Sequence, residues 1–126
     1  MRFGTQDQAF FPTDIKEKFQ FIKELGFETY EIDGNLLVEH VEEVKEAMKE
    51  TGILVETACN GYDGWIGDFI EERRLRGIEQ ISDILRALAE VGGKGIVRLG
   101  ACLPIVYHRW FLQEVKLVIL KQLVTL

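Results

Sequence analysis

Six side chains that can contact a ligand stand at or just after the predicted strands. They offer amide, carboxylate, thiol and indole groups, and they are Gln6, Glu31, Asp33, Cys59, Asn60 and Trp65. Because parallel α/β enzymes place their active-site groups at the carboxyl ends of strands, we expect these six side chains to share one rim of the sheet. Amides and carboxylates there would hydrogen-bond a polar ligand, whereas the thiol and the indole would supply apolar contacts.

Other kinds of chemical site find little support. His40 and His108 have no neighbouring Cys, His or Asp at the spacing of a zinc site, so we interpret both as surface or packing residues. The glycine-rich stretch 61–67 lacks the Lys-Ser/Thr ending of a P-loop and is interpreted as a loop. Cys59 and Cys102 are too few for a disulfide framework.

Alternating strands and helices must position the six side chains. Strand patterns cover residues 2–6, 27–34, 53–59 and 94–97, and helical patterns cover residues 14–25, 38–51 and 70–91. The first helix has the clearest ends, because Asp14 and Glu17 form a capping box and Gly26 stands where a C-cap glycine belongs. The order is therefore βαβαβαβ.

Apolar stripes predict which side of each helix packs on the sheet. The stripes are Ile15, Phe19, Ile22 and Leu25 in the first helix, Leu37, Val41, Val44 and Met48 in the second, and Ile78, Ile81, Leu85 and Leu88 in the third. Strands that alternate with amphipathic helices imply a parallel sheet with right-handed crossovers. By this pattern alone, half a TIM barrel and a small doubly wound sheet are equally good predictions.

Length and charge narrow the possibilities. A complete (β/α)₈ barrel needs roughly 250 residues, so the 126 residues of this chain predict at most part of one. Residues 1–97 carry 20 acidic and 11 basic side chains, a net charge of −9, whereas residues 98–126 carry 1 acidic and 4 basic, a net charge of +3. The acidic main body disfavours a nucleic-acid partner, because phosphate binding needs clustered Lys and Arg.

Several segments in register resemble one family. They are Phe3-Gly4-Thr5, the Gly-Phe-x-x-Tyr-Glu-Ile run at 26–32, the strand at 54–59, Arg73-Arg74-Leu75-Arg76, and the run at 88–97. Together they resemble the first half of the xylose isomerase-like sugar isomerases and epimerases, over about residues 1–97. The resemblance implies a partial (β/α)₈ TIM barrel of about four β-α units.

The resemblance also implies a function. Family members isomerise or epimerise a sugar, a sugar phosphate or a hydroxypyruvate-type substrate by carboxylate proton transfer through an enediolate, with Mn²⁺ or Mg²⁺ as cofactor. Their metal ligands and acid-base glutamates lie on later strands, so we expect neither catalytic nor metal-binding residues here, and an inactive fragment. The six rim residues are then expected to contact the substrate.

Three of the six residues have a structural alternative to substrate binding. Glu31 would hydrogen-bond a sugar hydroxyl or serve as a cap or solvated charge. Cys59 would line the apolar wall beneath the sugar, although a reduced Cys is more often simply packed. Trp65 would cover the carbon face of the sugar or seal exposed core.

The segment after Val97 has no recognisable family features, so we predict a family domain at 1–97 and a divergent apolar tail at 98–126. Our hypothesis is that the reading frame or splice pattern departs from a parent sequence near that point. Glu114, Lys116 and Lys121 interrupt the tail, which argues against a membrane span. The N-terminus lacks the apolar region of a signal peptide, so a cytoplasmic protein is expected.

Two alternative functions remain. The open edges of a partial parallel sheet leave backbone groups unpaired, so a non-catalytic half-barrel would pair with a second copy or another chain. A complete flavodoxin-like domain ranks last, because it needs a strand and a covering helix from residues 98–126, where only residues 117–120 resemble a strand.

Overall fold

A computed structural model describes residues 1–64 and 66–97. Strands and helices alternate as the sequence predicts, with one helix divided into two. The elements in chain order are β1 (Gly4–Gln6), α1 (Ile15–Glu24), β2 (Thr29–Asp33), α2 (Gly34–Glu39), α3 (Val41–Thr51), β3 (Leu54–Cys59), α4 (Glu71–Glu90) and β4 (Gly95–Val97).

Helix α1 begins and ends where the sequence predicts. The Asp14 carboxylate accepts a hydrogen bond from the backbone N–H of Glu17 at 2.9 Å, which satisfies one of the unpaired donors of the first turn. Gly26 follows the helix with φ at +87°, a left-handed conformation that glycine adopts without steric cost. The chain therefore leaves α1 directly towards β2.

The predicted single helix at 38–51 is wrong in its start and its continuity. Helix α2 already begins at Gly34, because the Asp33 carboxylate accepts hydrogen bonds from the N–H groups of Asn35 and Leu36. The chain then leaves helical geometry at His40, with φ −133° and ψ 33°, before α3 begins at Val41. Two short helices replace the single long one.

The sheet has the strand order β1-β2-β3-β4, and all three pairings are parallel. A doubly wound fold reverses its strand order part of the way along, whereas a barrel adds each strand beside the previous one. Right-handed crossovers in one direction keep all helices on one side of such a sheet. The order therefore decides between the two predictions in favour of a partial TIM barrel.

One core lies between the sheet and the helices. Its fully buried side chains come from the helices and from the inward positions of β2 and β3, and they include Phe19, Ile22, Leu37, Val44, Ile84, Tyr30, Ile32 and Val55. Side chains alternate along a strand, so the residues between the inward positions lie on the opposite side of the sheet. We call that side the open face; Gln6, Glu31 and Thr57 belong to it.

A register shift in β3 sets which of its residues reach the open face. Tyr30 pairs with Val55 while Glu31 pairs with Thr57, so Glu56 is an extra residue in the β3 ladder. Val55 and Ala58 are both buried in the core although they stand three residues apart. Thr57 consequently lies beside Glu31 on the open face.

The inward stripe of α4 differs from the prediction by one position. Gly77, Ile84, Ala87 and Leu88 are buried, whereas Ile78 and Leu85 are 46% and 43% exposed. Gly77 lies inward, and its backbone packs so closely against Gly64 of the preceding loop that a side chain at Gly64 would not fit. Of the predicted stripe, only Leu88 is fully buried.

Candidate functional site

A cleft of about 220 Å³ opens at the carboxyl ends of β1, β2 and β3. It brings together five of the six predicted site residues, and its lining is Gln6, Asp7, Gln8, Ala9, Glu31, Ile32, Asp33, Cys59 and Asn60. The sixth predicted residue, Trp65, lies outside the described residues. The convergence follows from parallel strand ends meeting at one edge, as the sequence analysis expects.

Glu31 joins the side chains of the neighbouring strands. The Gln6 amide Nε2 donates to Glu31 Oε1 at 2.6 Å, and the Thr57 hydroxyl donates to Glu31 Oε2 at 2.9 Å. Three neighbouring strands thus contribute one hydrogen-bonded row across the open face. Both oxygens of this carboxylate already accept a hydrogen bond from the protein.

The Asp33 side chain caps the helix that follows β2. Its Oδ1 accepts hydrogen bonds from the N–H groups of Asn35 at 2.9 Å and Leu36 at 3.2 Å, so the carboxylate caps helix α2. Through this cap Asp33 fixes the angle at which the chain leaves β2 and turns past the cleft. The alternative raised for Glu31, a strand-end carboxylate that caps the next helix, therefore applies to Asp33.

Cys59 and Asn60 form the third side of the cleft. Burial, followed by the negative charge of Glu31, raises the pKa of the half-buried Cys59 thiol, which keeps it neutral at physiological pH. Asn60 has φ +62° and Gly61 has φ +82°. This turn lays the Gly61 backbone against the backbone of Gly34, where a side chain would not fit.

Sequence reasoning missed three residues behind the cleft. Lys18 is buried in α1, and its Nζ lies 3.1 Å from Oδ1 of Asp7, which lines the cleft. The Tyr30 hydroxyl is buried beside the Asp7 carboxylate but makes no hydrogen bond of good geometry within the described residues. Burial, then the negative charge of Asp7, raises its pKa above the ordinary range. Lys18 stands three residues after Ile15, on the inward side of α1, and that position was the available signal.

The far end of the open face carries ion pairs instead of a cleft. Glu56 Oε1 lies 2.6 Å from Lys94 Nζ and 3.2 Å from the Arg2 guanidinium. The hydrogen bond from Lys94 is the main reason why the pKa of Glu56 is lowered. These pairs join β3 to the amino ends of β1 and β4.

The family's metal was tested against the donors that the cleft offers. Mn²⁺ and Mg²⁺ need several converging oxygen ligands. Within residues 1–64 and 66–97, no group of three or more His, Cys, Asp or Glu side chains could hold a metal ion. Glu31, Asp33 and Asp7 each already serve a protein partner. The described residues therefore do not fit a divalent-metal site.

Among residues 1–64 and 66–97, no helix has the length and apolar character required to cross a bilayer.

Comparison with known proteins gives concordant matches. A sequence model of the family described as the xylose isomerase-like TIM barrel matches residues 19–120. The 3-dehydro-D-guloside 4-epimerase of Escherichia coli K12 is 71% identical over 97 residues, which cover 77% of this chain and 37% of that protein. The chain thus spans little more than a third of the length of that curated relative.

Solved structures agree on the fold. The ligand-free 3-keto-D-glucoside 4-epimerase of E. coli superposes with a TM-score of 0.75 at 56% identity, over 97% of this chain and 51% of that one. D-psicose 3-epimerase, crystallised with D-fructose, superposes with a TM-score of 0.67 at 16% identity, over 83% of this chain and 42% of that one. At 16% identity, the similarity to D-psicose 3-epimerase shows the fold alone.

The family match continues past Val97, where the sequence predicts a divergent tail to begin. Residues 98–126 lie outside the described residues, so the division at Val97 stays a prediction.

Proposed function

Because this chain belongs to the xylose isomerase-like TIM-barrel family, we propose that it provides a sugar-binding face of a sugar epimerase or isomerase. The observation that carries the proposal is the convergence of Gln6, Glu31, Cys59 and Asn60 on one cleft at the strand ends. Amide and carboxylate groups there match the hydroxyl groups of a sugar. The relatives described above are themselves sugar epimerases.

The proposed role is binding without turnover. Epimerisation next to a ketone removes a proton from the carbon that bears a hydroxyl and returns a proton to the opposite side, through an enediolate. A carboxylate that performs this transfer must be free to reach the substrate. Glu31 and Asp7 are held by Gln6, Thr57 and Lys18. We therefore propose that proton transfer and the divalent metal belong to segments beyond the described residues.

The size of the cleft sets the expected affinity. Ligand pockets usually enclose about 300–1,000 Å³, whereas this cleft encloses about 220 Å³ between the ends of three strands and the loops that follow them. One sugar ring would be partly enclosed. We expect a millimolar dissociation constant, equivalent to about −4 kcal/mol.

Isothermal titration calorimetry of the full chain tests this proposal. Methyl β-D-glucoside and its 3-keto analogue are the probes, each with and without Mn²⁺, and a coupled epimerase assay follows the same samples. We expect millimolar binding that does not depend on Mn²⁺, and no turnover. Gln6→Ala should weaken binding several-fold, whereas Gln20→Ala on the outer surface of α1 should not.

Two results would contradict the proposal. The absence of binding to either probe would remove the sugar-binding role. Turnover with one Mn²⁺ bound per chain would show that this chain carries acid-base and metal groups of its own.

A second candidate function is a half-barrel that pairs with a second copy. The observation in its favour is an apolar stripe on the outside of α4, where Leu75, Ile78 and Leu85 are 55%, 46% and 43% exposed. In addition, β1 and β4 each have a strand neighbour on one side only within the described sheet. Such edges and stripes become covered when barrels close.

Analytical ultracentrifugation separates this candidate from the first. A half-barrel that self-associates should sediment as a dimer at micromolar concentration, and the double variant Leu75→Ser/Leu85→Ser should shift it towards monomer. Val38→Ser, on the exposed side of α2, serves as the matched control. A wild-type chain that stays monomeric at all concentrations would exclude the pairing role.

A further inference from the structure

Glu31 stands at the centre of the cleft, and each oxygen of its carboxylate already accepts a hydrogen bond from the protein. Gln6 donates to one oxygen at 2.6 Å and Thr57 to the other at 2.9 Å. The two donors come from the strands on either side, so the carboxylate is held from two directions across the sheet. A side chain held in this way can orient a neighbour more readily than it can move to a ligand.

The occupied carboxylate determines which way the Gln6 amide points. An ionised carboxylate only accepts hydrogen bonds, so the amide must turn its NH₂ group towards Glu31. The carbonyl oxygen Oε1 of Gln6 is then directed away from Glu31. Gln6 is exposed and lines the cleft, and its Oε1 has no hydrogen-bond partner among residues 1–64 and 66–97.

Building on the proposed function, we infer that Glu31 is a positioning residue that presents Gln6 Oε1 to the cleft as a fixed acceptor for a sugar hydroxyl. Thr57 stabilises the arrangement because its hydroxyl prevents the Glu31 carboxylate from rotating away. The substrate class is a pyranoside with a free hydroxyl that donates at this position. Glu31 acts through Gln6 and does not take up a proton itself.

Selectivity for a hydroxyl donor follows from a fixed acceptor. A site built to hydrogen-bond one hydroxyl rejects an analogue that lacks the donor, because the protein acceptor is then left without a partner. Fluorine in place of that hydroxyl keeps the size and the acceptor character but removes the donor. Within a series of deoxyfluoro methyl glucosides, we expect the analogue fluorinated at one particular position to bind about tenfold more weakly than the parent sugar.

The pair Gln20 and Glu24 on α1 offers a matched control. Gln20 Nε2 donates to Glu24 Oε1 at 3.1 Å on the exposed surface of the helix, and neither residue lines the cleft. Replacement of Glu24 therefore removes the same type of contact without touching the site. Glu31→Gln and Glu24→Gln are the two variants to compare.

The first measurement uses the side-chain amide signals in a ¹⁵N-¹H spectrum of the full chain without sugar. The Gln6 Nε2 proton that is donated to Glu31 should lie downfield of ordinary glutamine amide protons in the wild type and should return to the ordinary range in Glu31→Gln, since a neutral amide at position 31 no longer dictates the Gln6 orientation. Glu24→Gln should leave the Gln6 signals unchanged. Ordinary glutamine shifts for both Gln6 Nε2 protons in the wild type would overturn the inference whatever the sugar does.

The second measurement titrates the same proteins with methyl β-D-glucoside and the deoxyfluoro series. The inference expects the wild type to discriminate about tenfold at one position and Glu31→Gln to discriminate little, with Glu24→Gln like the wild type. A purely structural role of Glu31 would weaken all sugars equally, and equal affinities of wild type and Glu31→Gln would likewise overturn the inference while leaving sugar binding intact. The absence of wild-type binding would instead refute the proposed function, and with it the acceptor role of Gln6.

Discussion

The two sides of the same short strands differ sharply. Towards the helices, β2 buries Tyr30 and Ile32 in one apolar core. On the open face, the intervening Glu31 lies half-buried in a hydrogen-bonded row with Gln6 and Thr57. Strand alternation thus assigns stability to one side and ligand contact to the other.

This division predicts different consequences for substitutions on neighbouring residues. Changes on the helix side should alter the free energy of unfolding and leave the chemical character of the cleft intact. Changes on the open face should alter ligand contacts at small cost in stability. The residues behind the cleft, Lys18, Asp7 and Tyr30, connect the two sides and provide the most informative tests.

The largest effect is expected for Phe19→Ala. Phe19 is fully buried, and its ring meets the Tyr30 ring edge-on at a centroid distance of 5.5 Å. The cavity left by its removal should lower the free energy of unfolding by about 3–5 kcal/mol, measured by urea denaturation. Phe10→Ala is the control, since Phe10 is 73% exposed and its loss should cost much less. Similar losses for both would argue that the helix-side core is not where stability resides.

The next largest loss of stability is expected for Lys18→Met. The Lys18 side chain is 9% exposed and its ammonium group pairs with the Asp7 carboxylate at 3.1 Å. Without that cation the partly buried carboxylate loses its partner, and we expect a loss of about 1–3 kcal/mol. Lys16→Met on the exposed side of α1 should change the free energy of unfolding much less, because the Lys16 pairs with Glu46 and Glu50 are exposed to solvent. If Lys18→Met left the free energy of unfolding unchanged, the Lys18–Asp7 pair would not link the cleft to the stability of the core.

Asp33→Ala should cost about 1 kcal/mol, because it removes the cap of α2. Asn accepts the same backbone hydrogen bonds, so Asp33→Asn should retain most of the stability, as judged by thermal denaturation. If the Asn and Ala variants were equally unstable, the contribution of Asp33 would come from its charge and not from capping.

Tyr30→Phe should have the smallest effect and the opposite sign. Its hydroxyl is buried without a hydrogen-bond partner among the described residues, so its removal should raise the free energy of unfolding by up to about 1 kcal/mol. A decrease would mean that the hydroxyl makes a stabilising contact.

The pH dependence of the free energy of unfolding, compared between the wild type and Tyr30→Phe, gives a second test of the buried hydroxyl. In the folded chain the pKa of Tyr30 is raised by burial and by the negative charge of Asp7, above the value of about 10 in an unfolded chain. The folded state therefore holds the phenolic proton more tightly. That contribution is complete below about pH 10 and is lost as the pH rises further. Denaturation between about pH 9 and 11 should show the wild type losing stability faster than Tyr30→Phe.

The sequence was sufficient for the alternation of strands and helices, the ends of α1 and five of the residues that meet at the cleft. These features depend on local signals, such as the Asp14 cap, and on the rule that parallel strand ends share an edge. Pattern alone left a doubly wound sheet open, because strand order depends on pairings between distant segments. The family resemblance was needed to favour the barrel.

The features that the sequence analysis predicted wrongly or missed have physical causes. The break at His40 escaped detection because the apolar spacing from Leu37 to Met48 continues across it. The stripe of α4 was misplaced because Gly77 carries no apolar side chain, although it packs tightly against Gly64. The position of Thr57 beside Glu31 depends on the register shift at Glu56, which no local sequence signal predicts.

The most direct test of the central claim maps where a sugar binds. Backbone amide shifts of the full chain should be recorded while methyl β-D-glucoside is added, without metal. We predict shifts concentrated at Gln6, Glu31, Cys59 and Asn60 on the open face, with little change at Phe19 and Ile84 on the helix side. Shifts that cluster on the helix side, or that spread evenly over both sides, would contradict the assignment of ligand contact to the open face.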